Sequence, residues 1–379
     1  MEKCRNFKRC GGCQLPNLEY GEQLEYKQRQ AEYLLSDFCR VNEIIGMDKP
    51  YHYRNKASAV FYYDRKKRKT VSGIYQGSSG RIMPIESCLL EDEKSDEIIQ
   101  TVCRLADSFK LKPYSLETGA GFLRHILIRK GFKTNQYMVV LITASPALRS
   151  KRSFVNALIK AHPEITTIVQ SINPDGEVLT LGEKSEVLFG NGFIEDELCG
   201  CRFRISPASF YQINPEQTEI LYGKAIEFAG LTGSERIFDA YCGTGTIGII
   251  AAKNAKEAIG VEINEAAVKD AIINAERNET NNQFICADAE DYLNAAAKHD
   301  ERFDVIFMDP PRAGATVKFL KSAVKANPKK IVYISCNPKT LARDLKYLDK
   351  NGYKVKEIQP VDMFPMTKHI EAAVLITRA

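Results

Sequence analysis

Cys336 closes the apolar run 331–335 and is followed at once by Asn337 and Pro338. A thiol in that position stands where a parallel sheet opens onto its ligand crevice, outside the sheet's own core. Two other segments carry chemistry of a matching kind. Met308-Asp309-Pro310-Pro311-Arg312 is an apolar strand end closed by a proline-locked acid, and Asp362-Met363-Phe364-Pro365 leads to Glu371. If the three meet in space, Cys336 is a nucleophile, Glu371 a base, and Asp309 or Arg312 a polar clamp. A free thiol has a pKa of ~8.5, so such a nucleophile needs positive charge or hydrogen bonding beside it.

A second constellation surrounds Asp239-Ala240-Tyr241-Cys242-Gly243-Thr244-Gly245-Thr246-Ile247-Gly248. Gly243 and Gly245 let backbone approach a ligand, and Glu262, at the next strand end, can take two ribose hydroxyls. Asp288, closing the strand after that, is placed to face an adenine. The literal G-x-G-x-x-G also suits a dinucleotide enzyme. A nicotinamide enzyme gives no reason for Asp-Pro-Pro-Arg at the fourth strand, whereas S-adenosylmethionine methyltransferases commonly carry Asp-Pro-Pro or Asn-Pro-Pro there. A methyl donor beside a cysteine and a carboxylate fits carbon 5 of uracil, which is a poor nucleophile until a thiolate adds at carbon 6. A base must then remove the carbon 5 proton so that the thiolate can leave.

The elements that must position these groups follow from periodicity. After residue 205, strands are expected at 236–240, 258–262, 283–287, 303–308 and 330–335 with helices between them, a doubly wound, Rossmann-like α/β sheet. The runs 353–361 and 372–377 are joined too closely for a crossover helix, so the last strand is expected to be antiparallel. Before 205, short strands at 57–63, 126–129, 137–143 and 167–172, separated by Gly, Asn-Pro and Asp-Gly turns, read as α+β. At 379 residues the chain exceeds the ~250–300 at which single cores tend to split. The expected domains are 1–204 and 205–379, with a helix at 18–35 available to pack on the second.

The composition is that of a soluble globular protein, and no apolar run approaches the ~20 residues of a membrane helix. The charged opening stretch is not a secretory signal, so a cytoplasmic protein without a membrane partner is expected. Net charge is +5, but its distribution is uneven. Residues 51–70 carry Arg54, Lys56, Arg65, Lys66, Lys67, Arg68 and Lys69 against Asp64, interleaved with Tyr51, Tyr53, Phe61, Tyr62 and Tyr63. Cations for phosphates and rings for unpaired bases suit RNA. Eleven cysteines, an odd number, favour metal or catalytic thiols over a disulfide framework. Cys4, Cys10 and Cys13 share one loop and Cys88 follows far downstream, a spacing open to an iron–sulfur cluster, to zinc, or to no metal.

These residues resemble the bacterial RNA uracil-5 methyltransferases, which make 5-methyluridine in ribosomal and transfer RNA. The resemblance covers most of the chain and rests on Ser209-Phe210-Tyr211-Gln212-Ile213-Asn214, on the 239–245 loop, on Asp309-Pro310-Pro311-Arg312, on Ser335-Cys336-Asn337-Pro338, and on the stretch from Asp362 to Glu371. It implies Cys336 as nucleophile and Glu371 as proton acceptor. It also implies Gln212, Tyr241, Thr246, Glu262 and Asp309 as S-adenosylmethionine contacts, and Cys4, Cys10, Cys13 and Cys88 as ligands of a 4Fe–4S cluster. Cys39, Cys103, Cys199, Cys201, Cys242 and Cys286 are then ordinary cysteines, with Cys199 and Cys201 expected in a strand pair. The cluster pattern without the extra small β-barrel domain of longer members resembles the shorter ribosomal RNA branch. That implies a monomeric 23S ribosomal RNA enzyme acting on a flipped-out uridine. The rival readings are the same chemistry on transfer RNA, an RNA 5-methylcytosine methyltransferase, and an iron–sulfur RNA-binding protein with an inert methyltransferase fold.

Overall fold

A computed structural model describes residues 4–76, 80–174, 181–299 and 301–379; the Asp-Gly turn at 175–176 lies outside them. The chain separates into two units, Met1–Pro16 with Lys49–Glu197 and Arg204–Ala208, and Asn17–Asp48 with Leu198–Phe203 and Ser209–Ala379. Packing and sequence position therefore divide the chain differently. Residues 17–48 precede the first sheet in sequence but belong to the second unit, because the apolar stripe of their helix ends in that unit's core.

The first unit begins with a single helical turn, α1 (Phe7–Cys10). Its sheet contains β1 (Lys56–Asp64), β2 (Lys69–Tyr75), β3 (Ile82–Pro84), β4 (Leu123–Lys130), β5 (Tyr137–Thr143), β6 (Ile165–Ile172) and β7 (Lys184–Phe189), in the order β3-β2-β1-β4-β5-β6-β7. Every neighbouring pair is antiparallel except β5 and β6, whose parallel pairing requires a crossover. A helix at Lys151–Ala161 supplies it, and with another at Glu93–Ser108 contributes Ile98, Val102, Phe154 and Leu158 to the core beneath the sheet. The β1–β2 hairpin tip exposes Arg65, Lys66, Lys67 and Arg68. Asp64 Oδ1 accepts the backbone N–H groups of Lys66 and Lys67 at 2.9 and 3.0 Å.

Two short strands, β8 (Ile194–Leu198) and β9 (Cys201–Ile205), pair with each other, with Cys199 in the turn at φ 50° and Cys201 opening β9. The second unit's sheet comprises β10 (Arg236–Ala240), β11 (Glu257–Glu262), β12 (Asn282–Cys286), β13 (Val305–Met308), β14 (Lys330–Ser335), β15 (Tyr353–Val361) and β16 (Glu371–Arg378). The order is β12-β11-β10-β13-β14-β16-β15. The first five strands are parallel, and β16 is antiparallel to both neighbours. β13 and β14 are apolar and buried nearly throughout, as expected of parallel strands covered on both faces. The direction of winding reverses between β10 and β13, and the crevice at a sheet's carboxyl edge opens at such a switch point.

Local chemistry sets the boundaries that matter. The helix Pro215–Ala229 starts with Asn214 capping Gln217 N–H and Pro215 in the first turn, and stops at Gly230 in the left-handed region. Asn337 plays the same part for the helix Pro338–Lys350: its side chain accepts Lys339 N–H, and the extended backbone of a residue before proline ends the strand.

The helix Tyr20–Leu35 buries Ala31 and Leu35 among Phe238, Leu345 and Ile358. Its opposite duty is to hold the loop before β16. Lys27 Nζ donates to Asp362 Oδ1 at 2.5 Å and to Phe364 O at 3.1 Å, both side chains of the ion pair being 0% exposed. Tyr20 OH donates to Asp362 Oδ2 at 3.1 Å, and Gln23 Oε1 accepts Met366 N–H at 2.9 Å. Removing one partner of such a pair leaves a buried charge. Lys27→Met is expected to cost about 3–5 kcal/mol in urea unfolding, with most of the loss recovered when Asp362→Leu is added.

Candidate active site

Strand register brings the thiol and the carboxylate together. Ser335 lies opposite Ala372 in the β14–β16 ladder, so the next residue of each antiparallel strand, Cys336 and Glu371, meet at its end. Glu371 also lies opposite Val361 of β15 and is only 3% exposed. On the other side of β14, Met308 is in register with Tyr333 and with Ala240, which sets Asp309 between the end of β10 and Cys336. The 309–315 loop is fastened to the start of the Pro338–Lys350 helix. Asn337 Nδ2 and Thr340 Oγ1 donate to Arg312 O at 3.1 and 3.3 Å.

The electrostatics of this crevice are those of crowded, poorly hydrated acids. Burial, then the charge of Asp309, raise Glu371 to about 8, opposed by Arg312. Burial raises Asp309 to about 7. Burial, followed by Glu371 and Asp309, raises the Cys336 thiol to about 11, again opposed by Arg312. Arg312, one of the two candidates for the clamp, is thus the cation that acts on both thiol and base.

Tyr222 is a member of this site that the sequence did not reveal. It is buried in the Pro215–Ala229 helix, bonds to the side chains of Gln212 and Thr246, and feels the charges of Asp309 and Glu371. One phenol therefore links the 209–214 motif, the first residue of the helix Thr246–Ala252, and the acids. In sequence Tyr222 is one aromatic among the apolar positions of a core helix, and nothing in its neighbours marks it.

The glycine loop lies beside these groups. Glu262 Oε2 accepts Gly243 N–H at 3.1 Å and its Oε1 accepts Asn264 N–H at 2.9 Å, so the carboxylate at the β11 end is aimed at the loop. Gly243 has φ 55° and open space where a Cβ would stand, whereas Gly245, φ 79°, has Phe284 within 2.6 Å of that point. Asp239 Oδ2 accepts Gly248 N–H at 2.8 Å, but among the described residues its buried Oδ1 has no partner. Burial raises this acid to about 8. An orphaned acid oxygen and an unfilled glycine cradle fit a ligand carrying hydrogen-bond donors, such as an amino acid moiety or ribose. Tyr241, in the left-handed region at φ 61°, lays its ring 5.1 Å from that of Phe319, and its hydroxyl feels Asp288. Asp288 is exposed and caps the helix Ala289–Lys298 by accepting Glu290 N–H at 2.8 Å.

The expected metal ligands lie in the first unit. Cys10, Cys13 and Cys88 line one cavity of about 220 Å³ with Arg54, Glu91 and Asp96. Cys4 and Cys10 both raise the Cys13 thiol, which burial chiefly pushes up to about 11. Cys88 is pushed up to about 12 by burial, although its sulfur accepts the backbone N–H groups of Leu90 and Glu91. Among the described residues, no three Cys, His, Asp or Glu side chains gather closely enough to hold a single metal ion.

Residues 164–379 match the tRNA (uracil-5-)-methyltransferase family. Uncharacterised RNA methyltransferases of Halalkalibacterium halodurans and Clostridium acetobutylicum are each 42% identical, over 98% and 99% of this chain and 82% and 83% of their own lengths. The crystal structure of Pyrococcus abyssi tRNA (uracil-54, C5)-methyltransferase in complex with S-adenosyl-L-homocysteine is similar at 29% identity. It has a TM-score of 0.82 and covers 97% of this chain and 86% of that one.

The three raised carboxyls have a thermodynamic consequence. Asp239, Asp309 and Glu371 hold protons in the folded chain that they release when unfolded, from ordinary values near 4 up to about 7–8. Their stabilisation is complete below the unfolded values and is lost as pH rises through the folded ones. The unliganded protein is therefore expected to melt at a lower temperature at about pH 9 than at about pH 6, and Asp309→Asn should narrow the gap in calorimetry.

Proposed function

The chain belongs to the tRNA (uracil-5-)-methyltransferase family and is an S-adenosylmethionine-dependent RNA uracil-5 methyltransferase, and we propose that its substrate is a uridine of 23S ribosomal RNA. The observation that carries the chemistry is the meeting of Cys336 and Glu371 at the end of one strand pair, with Asp309 and Arg312 beside them. S-adenosylmethionine supplies an electrophilic methyl group, and Gln212, Tyr241, Thr246, Glu262, Asp288 and Asp309 are the proposed residues that hold it. Asp239, with its unpartnered oxygen, joins them.

In this reading Cys336 Sγ bonds to carbon 6 of a uracil flipped into the crevice, and the π-electron pair moves onto carbon 5 and the carbonyl beside it. Carbon 5 takes the methyl group as the donor's sulfur–carbon bond breaks. Glu371 then removes the carbon 5 proton. The freed pair restores the ring double bond and expels the Cys336 thiolate. Arg312 is the cation that favours both the thiolate and the ionised base.

Cys4, Cys10, Cys13 and Cys88 are proposed to hold a 4Fe–4S cluster. Three of them share a cavity, and the N–H donors to Cys88 are of the kind that cluster thiolates receive. That pattern supports ribosomal RNA as substrate; the exposed cations at 65–68 are available for its phosphates. The enzyme is proposed to act as a monomer in the cytoplasm, where eleven unpaired cysteines persist. Transfer RNA is the second reading, favoured by the likeness to the Pyrococcus abyssi tRNA (uracil-54, C5)-methyltransferase.

Mass mapping of modified RNA from a deletion strain tests the substrate. One 5-methyluridine is expected to vanish from 23S ribosomal RNA; its loss from transfer RNA would establish the second reading, and loss of a methylcytidine would overturn the base assignment. For the chemistry, Cys336→Ala is expected to lower methylation by more than about 10²-fold and form no adduct. Glu371→Gln is expected to accumulate a covalent RNA–protein complex, visible on a denaturing gel, because the base that releases the thiolate is missing.

A further inference from the structure

The cavity holding Cys10, Cys13 and Cys88 also contains a cation with unused hydrogen-bonding capacity. Arg54 lines it. The guanidinium bonds to the Tyr53 side chain, yet among the described residues its buried Nε–H has no acceptor. A buried charged donor left unmatched is expensive, and such groups are rare in folded chains.

The backbone explains why the guanidinium sits there. His52 N–H donates to Leu89 O and Arg54 N–H to Leu90 O, each at 2.9 Å, and Asp92 N–H donates to Arg54 O at 3.3 Å. Residues 52–54 thus run alongside the segment that follows Cys88. The Arg54 charge acts on the thiols of both Cys13 and Cys88, so it reaches the front loop and the distant cysteine together. Three carboxyls share the lining, Glu86, Glu91 and Asp96; Glu91 and Asp96 hydrogen-bond to each other, and the charge of Glu91 acts on Arg54.

We propose that Arg54 is a positioning residue of the iron–sulfur site, its Nε–H donating to a cluster sulfur and its charge offsetting the cluster's negative charge. The proposal rests on the cluster reading given above. A cluster ligated by four thiolates is an anion whose reduction potential follows its net charge and the hydrogen bonds to its sulfurs. Removing a cation beside it favours the oxidised, less negative form.

The full chain purified anaerobically provides the test. Iron and acid-labile sulfide are measured first: their absence from wild type, or zinc in their place, would overturn the cluster reading and this proposal with it. With the cluster present, redox titration followed by visible absorption and electron paramagnetic resonance should give a more negative midpoint potential for Arg54→Met. A smaller shift of the same sign is expected for Arg54→Lys, which keeps the charge but not the Nε–H. Wild-type potentials in both variants at full iron occupancy would overturn the role of Arg54 and leave the cluster standing. If Arg54→Met fails to fold, the potential of Arg54→Lys decides by the same criterion.

Discussion

The catalytic unit depends on an ion pair between residues 335 positions apart, Lys27 and Asp362. Two charges removed from water repay their desolvation only when geometry is good and the remaining lone pairs are satisfied. Here Tyr20 takes the second carboxylate oxygen, and the Phe364 carbonyl takes a second ammonium proton. Asn214 Nδ2 donates to Met363 O at 3.0 Å from the opposite side. The loop leading into β16 is therefore clamped by a helix from near the chain's start and by the cap of the helix that bears Tyr222. Residues 41–45 extend the clamp along the edge of β15, where Asn42 and Ile45 N–H groups donate to Ile358 and Pro360 carbonyls. With the loop held, β16 has one register, and that register sets Glu371 beside Cys336.

Within the crevice burial disfavours the ionised form of several acids at once. Asp239, Asp309 and Glu371 are all raised toward neutral pH by burial, and Tyr222 touches the field of two of them. Acids in this condition ionise more readily when a cation is beside them. Arg312 pushes Glu371 in that direction. The thiol, raised mainly by the same burial, benefits from Arg312 and is opposed by its acidic neighbours.

The first unit stores a comparable tension. Burial raises the Cys13 and Cys88 thiols, and the charge of Arg54 opposes that rise in both.

Much of the fold was legible because its signals are local. Buried runs such as 305–308 and 330–335 read as strands from their apolar continuity, and Asn214-Pro215 and Asn337-Pro338 mark helix starts through capping and the fixed φ of proline. Gly243 and Gly245 mark a tight turn because their φ values are accessible without a Cβ. The same signals put Cys336 and Asp309 at strand ends before any contact was known. Other assignments lay beyond local chemistry. The helix at Tyr20–Leu35 reads as a helix from its spacing, but only packing assigns it to the second unit. Glu371 could equally have been a solvent-facing residue opening the last strand; antiparallel register buries it and sets it beside Cys336. Tyr222's place in the site, the reach of Arg54 to Cys13 and Cys88, and the pairing of Lys27 with Asp362 carry no sequence signature, because each depends on partners that only the folded chain brings within reach. Residue types and local spacing marked which side chains could do chemistry and which elements carry them, whereas packing selected which of them meet and how their protons are held, since desolvation and charge coupling exist only once distant segments share the same dry volume.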